Sequence, residues 1–225
     1  MRALQLTEVN ISPDLKSKCR NVALGCVEGE VRSGPTPPEL DAALRGFQER
    51  IAKLPEPRAT LESTAIETTR AGYKALGKDP ARYRGSAEAL LRRAISGKGL
   101  PRINNVVDVI NLVSAENKLP VGLYDLAHVA GAIEFRAGRA GETYKGIGKY
   151  DLNLEDLPLF ADAKGPHGSA TSDSERTMVT ESTTKIIAII VSFAGPNVLQ
   201  QATKRMQELL EVHCSARNIE TRIVS

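Results

Sequence analysis

Thr184-Lys185-Ile186-Ile187-Ala188-Ile189-Ile190-Val191-Ser192-Phe193 decides how the chain must fold. β-branched residues follow one another with no polar alternation, which predicts a strand covered on both faces and central to a sheet. Its apolar run, Ile186 to Val191, is about a third of a membrane span, so it reads as core. On its C-terminal side, Gly195-Pro-Asn opens an amphipathic helix with Leu199, Ala202, Met206, Leu209 and Leu210 on one face, and 219–224 reads as an edge strand. On its N-terminal side, after Pro120, short strands are expected at 121–124, 132–136 and 157–161, joined by Gly-rich connections.

Further upstream the pattern turns helical. Thr36-Pro-Pro-Glu39 has the form of a capping box, and Leu40, Leu44, Phe47, Ile51 and Leu54 recur at helical spacing until Pro55 and Pro57. Another helix is expected from about Thr60, with Ile66, Tyr73 and Leu76 inward and Gly77 as terminator. Ser86 is set to cap a helix carrying Leu90, Leu91 and Ile95, and 101–118 holds one carrying Val106, Val107, Ile110 and Val113. Strands are expected from Ala3 and Leu4 through Ile11, ended by Pro13, and at 21–31. The reading is mixed α/β (α+β): one domain over 1–225, with a strand and helical part at 1–79, a core at 80–195, and a C-terminal helix and edge strand at 196–225.

Composition narrows the function. With 225 residues, 41% hydrophobic and 25% charged, the chain can bury a proper core, which argues against disorder and collagen-like repeats. Cys19, Cys26 and Cys214 are too few and scattered for a disulfide framework or a metal clamp, and the first residues alternate rather than forming an apolar leader. A soluble cytoplasmic protein, without cofactor, metal or membrane partner, is therefore expected. Aromatic residues make up 4% with no Trp, which weighs against a binder built mainly on stacking. The net charge of +3 is uneven: the segment 70–102 holds nine bases against Asp79 and Glu88, giving +7 there and −4 elsewhere. Such a surplus is either a solvated helix face or a surface for phosphates; Arg84, Arg92, Arg93, Lys98 and Arg102 are the candidates for contact with a polyanion.

Several chemistries are not indicated. There is no GxSxG and no GxxxxGK[ST], Gly146-Ile-Gly148 lacks a third glycine, and His128, His167 and His213 have no metal-ligand spacing. The unusual stretch is 162–177, Asp-Ala-Lys-Gly-Pro-His-Gly-Ser-Ala-Thr-Ser-Asp-Ser-Glu-Arg-Thr. Its glycines allow close backbone approach, Gly168, Ser169, Thr171 and Ser174 offer hydrogen bonds, and His167, Asp173 and Arg176 offer charge or a titrating group. That inventory suits a small polar ligand bearing an ammonium and an ester; a solvent loop is the bland alternative. Asn104, Asp108 and Asn111 share one helical face, although Asn104 or Asn105 serves equally as an N-cap. Gly122, Tyr124 and Asp125 form a third patch.

Tyr83-Arg-Gly-Ser-Ala-Glu-Ala-Leu-Leu-Arg-Arg, Leu100-Pro-Arg-Ile-Asn-Asn-Val-Val-Asp-Val-Ile-Asn, Leu119-Pro-Val-Gly-Leu-Tyr-Asp and Gly131-Ala-Ile-Glu-Phe-Arg follow in an order that resembles the B3/B4 domain. Leu159-Phe-Ala-Asp-Ala-Lys-Gly and Thr180-Glu-Ser-Thr continue it. That domain is the tRNA-associated editing module of the bacterial phenylalanyl-tRNA synthetase beta chain. The resemblance implies a layered fold of mixed sheets packed with helices, and a freestanding module rather than an aminoacylating synthetase. It implies tRNA or aminoacyl-tRNA as partner and hydrolysis of a mischarged aminoacyl ester, with a noncatalytic tRNA- or amino-acid-binding module as the alternative. Against this background His167 and Asp173 are the catalytic candidates. Asn104, Gly122, Tyr124, Asp125, Gly168, Ser169, Thr171, Ser174 and Arg176 are candidates for substrate contact, and the five bases above for tRNA. Two departures stand out: the family pattern has a histidine where this chain has Gly122 and a glutamate where it has Ile189.

Overall fold

The computed structural model describes residues 6–148 and 150–225. In chain order the first half comprises β1 (Val9–Ile11), α1 (Pro13–Lys18), β2 (Ala23–Glu30), α2 (Pro38–Ala52), α3 (Thr64–Ala75), α4 (Ser86–Ile95) and α5 (Asn105–Asn117). The second half comprises β3 (Val121–Asp125), β4 (Ile133–Ala137), β5 (Thr143–Lys145), β6 (Asp151–Asn153), β7 (Pro158–Asp162), β8 (Gly165–Ser169), β9 (Lys185–Ser192), α6 (Leu199–Cys214) and β10 (Arg217–Val224). One four-stranded sheet runs β10-β2-β9-β3, all neighbours antiparallel. A second runs β1-β4-β7-β8, with β1 parallel to β4 and the other pairs antiparallel. β5 and β6 form a separate hairpin.

The strand quoted first is β9, and its two parities explain the layers. Ile186, Ala188 and Ile190 join a core with Leu44 and Phe47 of α2, Leu91 of α4, Val109 and Val113 of α5, and Met206 and Leu210 of α6. Ile187, Ile189 and Val191 join a second core with Phe135 of β4, Leu159 and Phe160 of β7, Leu15 of α1 and Tyr73 of α3. β2 divides the same way, with Ala23 and Val27 toward the helices and Leu24 and Cys26 toward the other sheet. The order of layers is therefore helices, sheet, sheet. A mixed α/β fold with sheets packed by helices is what the sequence predicts. Among the described residues no helix is long and apolar enough to cross a membrane.

Local chemistry corrects several expected boundaries. Thr36 does not cap α2; Pro37 stands at the cap, and the Thr36 hydroxyl donates to Asp108 Oδ2 at 2.6 Å, fastening the start of α2 to α5. Gly85 rather than Ser86 caps α4, and Ser86 Oγ accepts from the Val121 amide at 3.3 Å. The segment from Pro57 to Glu62 is a 3-10 helix, so α3 starts later than Thr60. Pro13, expected only to end a strand, is the first residue of α1 behind the Ser12 cap. Ala3 and Leu4 lie outside the described residues. The stretch 162–177 is not one loop, because five of its residues form β8, paired to β7 with a register shift at Phe160/Ala161. Glycine, proline and histidine have little strand propensity of their own, so this strand exists only through its partner.

Two helical glycines separate propensity from packing. A Cβ at Gly72 of α3 would overlap the Phe193 ring, whereas one at Gly46 of α2 meets only Arg50 Nη1 at 3.7 Å. Alanine gains up to about 1 kcal/mol of helix propensity at either site, while overpacking costs about 1–3 kcal/mol. Gly46→Ala is therefore expected to raise the midpoint of urea unfolding and Gly72→Ala to lower it. The same sign at both sites would contradict the packing of α3 against β9.

Candidate functional site

Antiparallel pairing sets Gly122 of β3 directly opposite Ile189 of β9. The two positions that the resemblance expects to depart from the family pattern are therefore cross-strand neighbours. Tyr124 is two residues along β3 and shares the face of Gly122. Its side chain is fully buried, and a Cβ built on either Gly122 or Gly168 would overlap its phenol. The two glycines thus leave a slot between β3 and β8, and the Tyr124 ring fills it. The His167 ring stands edge-on to Tyr124, 4.5 Å between centroids at 87°.

The phenol is held at its tip. Tyr124 Oη donates to Asp173 Oδ1 at 3.1 Å, and the amides of Ser169 and Leu123 donate to the same carboxylate at 3.3 Å each. One carboxyl therefore ties β3 to the segment after β8. That segment is further ordered by Ser169, whose Oγ donates to the Ser172 carbonyl at 2.8 Å and accepts from the amides of Ser172 at 3.0 Å and Thr171 at 3.3 Å. Two more tyrosines reach it: Tyr73 Oη pairs with Thr171 Oγ1 at 2.8 Å, and Tyr144 Oη donates to the Ser172 carbonyl at 2.5 Å. Reading the sequence missed both; the available signal was that tyrosines are scarce in this chain.

Burial sets the proton affinities. Asp173 is half-buried as a residue, and burial pushes its carboxyl up to about 7 despite three donors. Burial likewise raises Tyr124, with the Asp173 charge adding to it. His167 is pulled down to about 4, first by burial, and its imidazole is neutral at pH 7. Among the described residues neither of its ring nitrogens has a hydrogen-bond partner, while its carbonyl accepts from the Ser174 amide at 3.0 Å and Thr177 Oγ1 at 3.2 Å. A carboxyl that is half-ionised near neutrality can take or return a proton. A phenol and the clustered amides after β8 are the donors nearby.

Other expected contacts lie elsewhere. Arg176 grips Asp162 with two nitrogens at 2.9 and 3.0 Å and donates to the carbonyls of Gly165 and His128, so it fastens the β7–β8 hairpin rather than Asp173. Asp125 accepts from the Ala127 amide at 2.9 Å and Thr183 Oγ1 at 2.7 Å, shaping the turn after β3. Asn104 caps α5 by accepting from the Val107 amide at 2.9 Å, and Asp108 of the same stripe accepts from Thr36 and the Ile103 amide. Ser174 is buried, and among the described residues its hydroxyl has no partner.

The basic residues start at this site and lead away from it. The Ser86 amide donates to the Ala170 carbonyl at 2.7 Å, which fixes the start of α4 beside the loop after β8 and leaves the exposed Arg84 just before it. Arg92 and Arg93 belong to the last turn of α4, about 10 Å further along the axis. Arg92 and Arg70 both bind Glu88, and Arg102 binds Asp41 and the Leu100 carbonyl. Arg93 and Lys98 are exposed at the far end of α4. A cavity of about 10 Å³ between Tyr73, Tyr83, Pro120 and the Arg70–Glu88 pair lies near Thr171. It is large enough for a single water and too small for an amino acid.

A model of the B3/4 domain family matches residues 68–220. The phenylalanine–tRNA ligase beta subunit of Aquifex aeolicus is 26% identical over 200 residues, which is 83% of this chain and 26% of that protein. That of Paramagnetospirillum magneticum is 31% identical over 104 residues, 45% of this chain and 13% of that protein. The chain thus spans about a quarter or less of the length of these relatives. A crystal structure of an N-terminal fragment of the phenylalanyl-tRNA synthetase beta-subunit from Pyrococcus horikoshii superposes with a TM-score of 0.51. It is 14% identical, covering 97% of this chain and 54% of that fragment, and so supports the fold alone.

The buried carboxyl gives a pH signature. The folded Asp173 value, about 7, lies above the ordinary 3.8, so its contribution to stability is fully present below about pH 4 and is lost as the pH rises through 7. His167 has the opposite sign, its contribution being lost as the pH falls from 6.5 through about 4. Replacing Asp173 alone isolates the first. Relative to the parent, Asp173→Asn is expected to gain stability between pH 4 and pH 8, by about 4 kcal/mol at most. Urea unfolding across that range measures it; a difference independent of pH would mean that the carboxyl is not enclosed.

Proposed function

The chain belongs to the B3/4 domain family, and from that premise we propose that it acts on the aminoacylated end of tRNA, hydrolysing the ester of a mischarged aminoacyl-tRNA. The observation that carries the reading is one enclosed carboxyl, Asp173, held by three donors where β3, β8 and a hydroxyl-rich loop converge, with burial raising its proton affinity. An aminoacyl ester is already activated, so a site need only orient a water and stabilise a developing oxyanion. In this reading ionised Asp173 takes the proton of the attacking water as oxygen adds to the ester carbonyl. The amides of Thr171 and Ser172, now bonded to Ser169 Oγ, would turn from it to the oxyanion, and Asp173 returns its proton to the ribose oxygen as the C–O bond breaks, releasing tRNA and the free amino acid. Tyr124 must swing out of its slot to admit the ester, a cost of about 2–3 kcal/mol for exposing a buried ring, which substrate contacts have to offset. His167 lines the slot as a neutral wall. The segment 70–102 leads the acceptor stem away along α4.

One observation favours a second reading. Gly122 and Ile189 put no polar atom on the β3/β9 face, and Tyr124 fills the space above them, as expected of a module that binds tRNA or an amino acid without hydrolysing it. Incubating the protein with a panel of aminoacyl-tRNAs separates the two. The hydrolytic reading expects at least one mischarged species to be deacylated well above its spontaneous rate. Asp173→Asn should slow that step by about 100-fold or more while tRNA affinity changes little. Deacylation of none of the panel, with tRNA binding intact, would leave the binding module; equal loss of both activities in the variant would assign Asp173 to the fold alone.

A further inference from the structure

We propose that the tip of the β5–β6 hairpin is a stacking platform for one unpaired nucleobase, carried by Tyr150. This deepens the tRNA reading above and rests on it.

Tyr150 breaks the pattern of the chain. There are five tyrosines, four phenylalanines and no tryptophan. All four phenylalanines and Tyr73 and Tyr124 are buried, and Tyr83 and Tyr144 are half-buried. Tyr150 alone is open, with 94% of its surface exposed. A ring left in water contributes nothing to the cores, and the packing of the hairpin does not require it.

The hairpin is rooted on the candidate site along successive residues. Tyr144 Oη meets the Ser172 carbonyl, Gly146 bridges to Ser174, the Ile147 amide donates to the Asp173 carbonyl at 3.0 Å, and Lys145 pairs with Glu175 at 2.9 Å. Tyr150 follows Ile147 by three residues, so at most about 11 Å of chain separates it from the residue bound to Asp173. A nucleotide whose neighbour occupies the site lies within reach of the ring.

Size selects the ligand. In sequence the stretch 139–153 carries Arg139, Lys145 and Lys149 against Glu142 and Asp151; Lys145 is paired with Glu175, and the Glu142 carboxylate is gripped by Arg136 at 2.7 and 2.8 Å. The balance left is close to neutral, so the ring and not charge must supply the contact. A specific protein partner needs about 1,000 Å² of complementary surface or more. The apolar surface on this tip is one ring and Ile147, which is 42% exposed; a tyrosine ring brings roughly 150–250 Å². That matches a single base, for which stacking on an aromatic side chain is sequence-tolerant.

The test compares the parent, Tyr150→Ala and Tyr150→Phe, binding two uncharged RNAs: an intact tRNA and the same tRNA without its unpaired 3′ nucleotides. Tyr150→Ala is expected to raise Kd for the intact tRNA by about 5- to 100-fold. Tyr150→Phe, which keeps the ring, should stay within about twofold, and the alanine effect should vanish on the truncated tRNA. A parent that binds intact tRNA with no loss in Tyr150→Ala, or with equal loss on both RNAs, overturns the platform and leaves the tRNA reading standing. A parent that binds neither RNA overturns both.

Discussion

The apolar side chains on both faces of β9 impose the architecture. A strand with isoleucines on each parity cannot tolerate water on either side, so one face needs the helical layer and the other a second sheet. That demand sandwiches β9 between two cores and puts β3 at the edge of its sheet, where it meets β8. The site lies in this junction between layers. Its polar groups are consequently enclosed, and the same burial that stabilises the cores raises the proton affinity of Asp173 and lowers that of His167.

Tyr124 gives the junction its character. The two glycines facing it provide a slot that no other side chain could share, and the Asp173 carboxyl supplies the acceptor that its buried hydroxyl needs. Ring and carboxyl close the slot together. In the proposed reading, a ligand that enters has to replace the phenol's burial and its hydrogen bond, which would set a threshold for binding at Tyr124. Gly122 lies against that ring, with Ile189 opposite it across the strands.

Much of the layering was legible from periodicity. The parity of β9, the apolar stripes of α2, α5 and α6, and the edge position of β10 all follow from which residues recur at which spacing. The site was legible in inventory but not in wiring. Asp173, His167, Gly168 and Ser169 stand out as residue types, yet nothing in spacing tells that Arg176 turns to Asp162 and away from Asp173. Likewise Asn104 and Thr36 carry ordinary capping chemistry, and only the tertiary contact between α2 and α5 decides that Asn104 caps its helix while Thr36 bonds Asp108. β8 escaped because its strand character comes from β7. Tyr73 and Tyr144 escaped because their contacts with Thr171 and Ser172 bridge segments about 100 and 28 residues apart.

Amide chemical shifts, recorded as an isotope-labelled protein is titrated with an aminoacyl-adenosine whose ester is replaced by an amide, test the central claim most directly. If the junction of β3 and β8 receives the aminoacyl end, the shifts concentrate on Leu123, Tyr124, Gly168, Ser169 and the amides of 171–173, with the Tyr124 ring leaving its shielded position beside His167. Saturable shifts that bypass those residues would contradict the account.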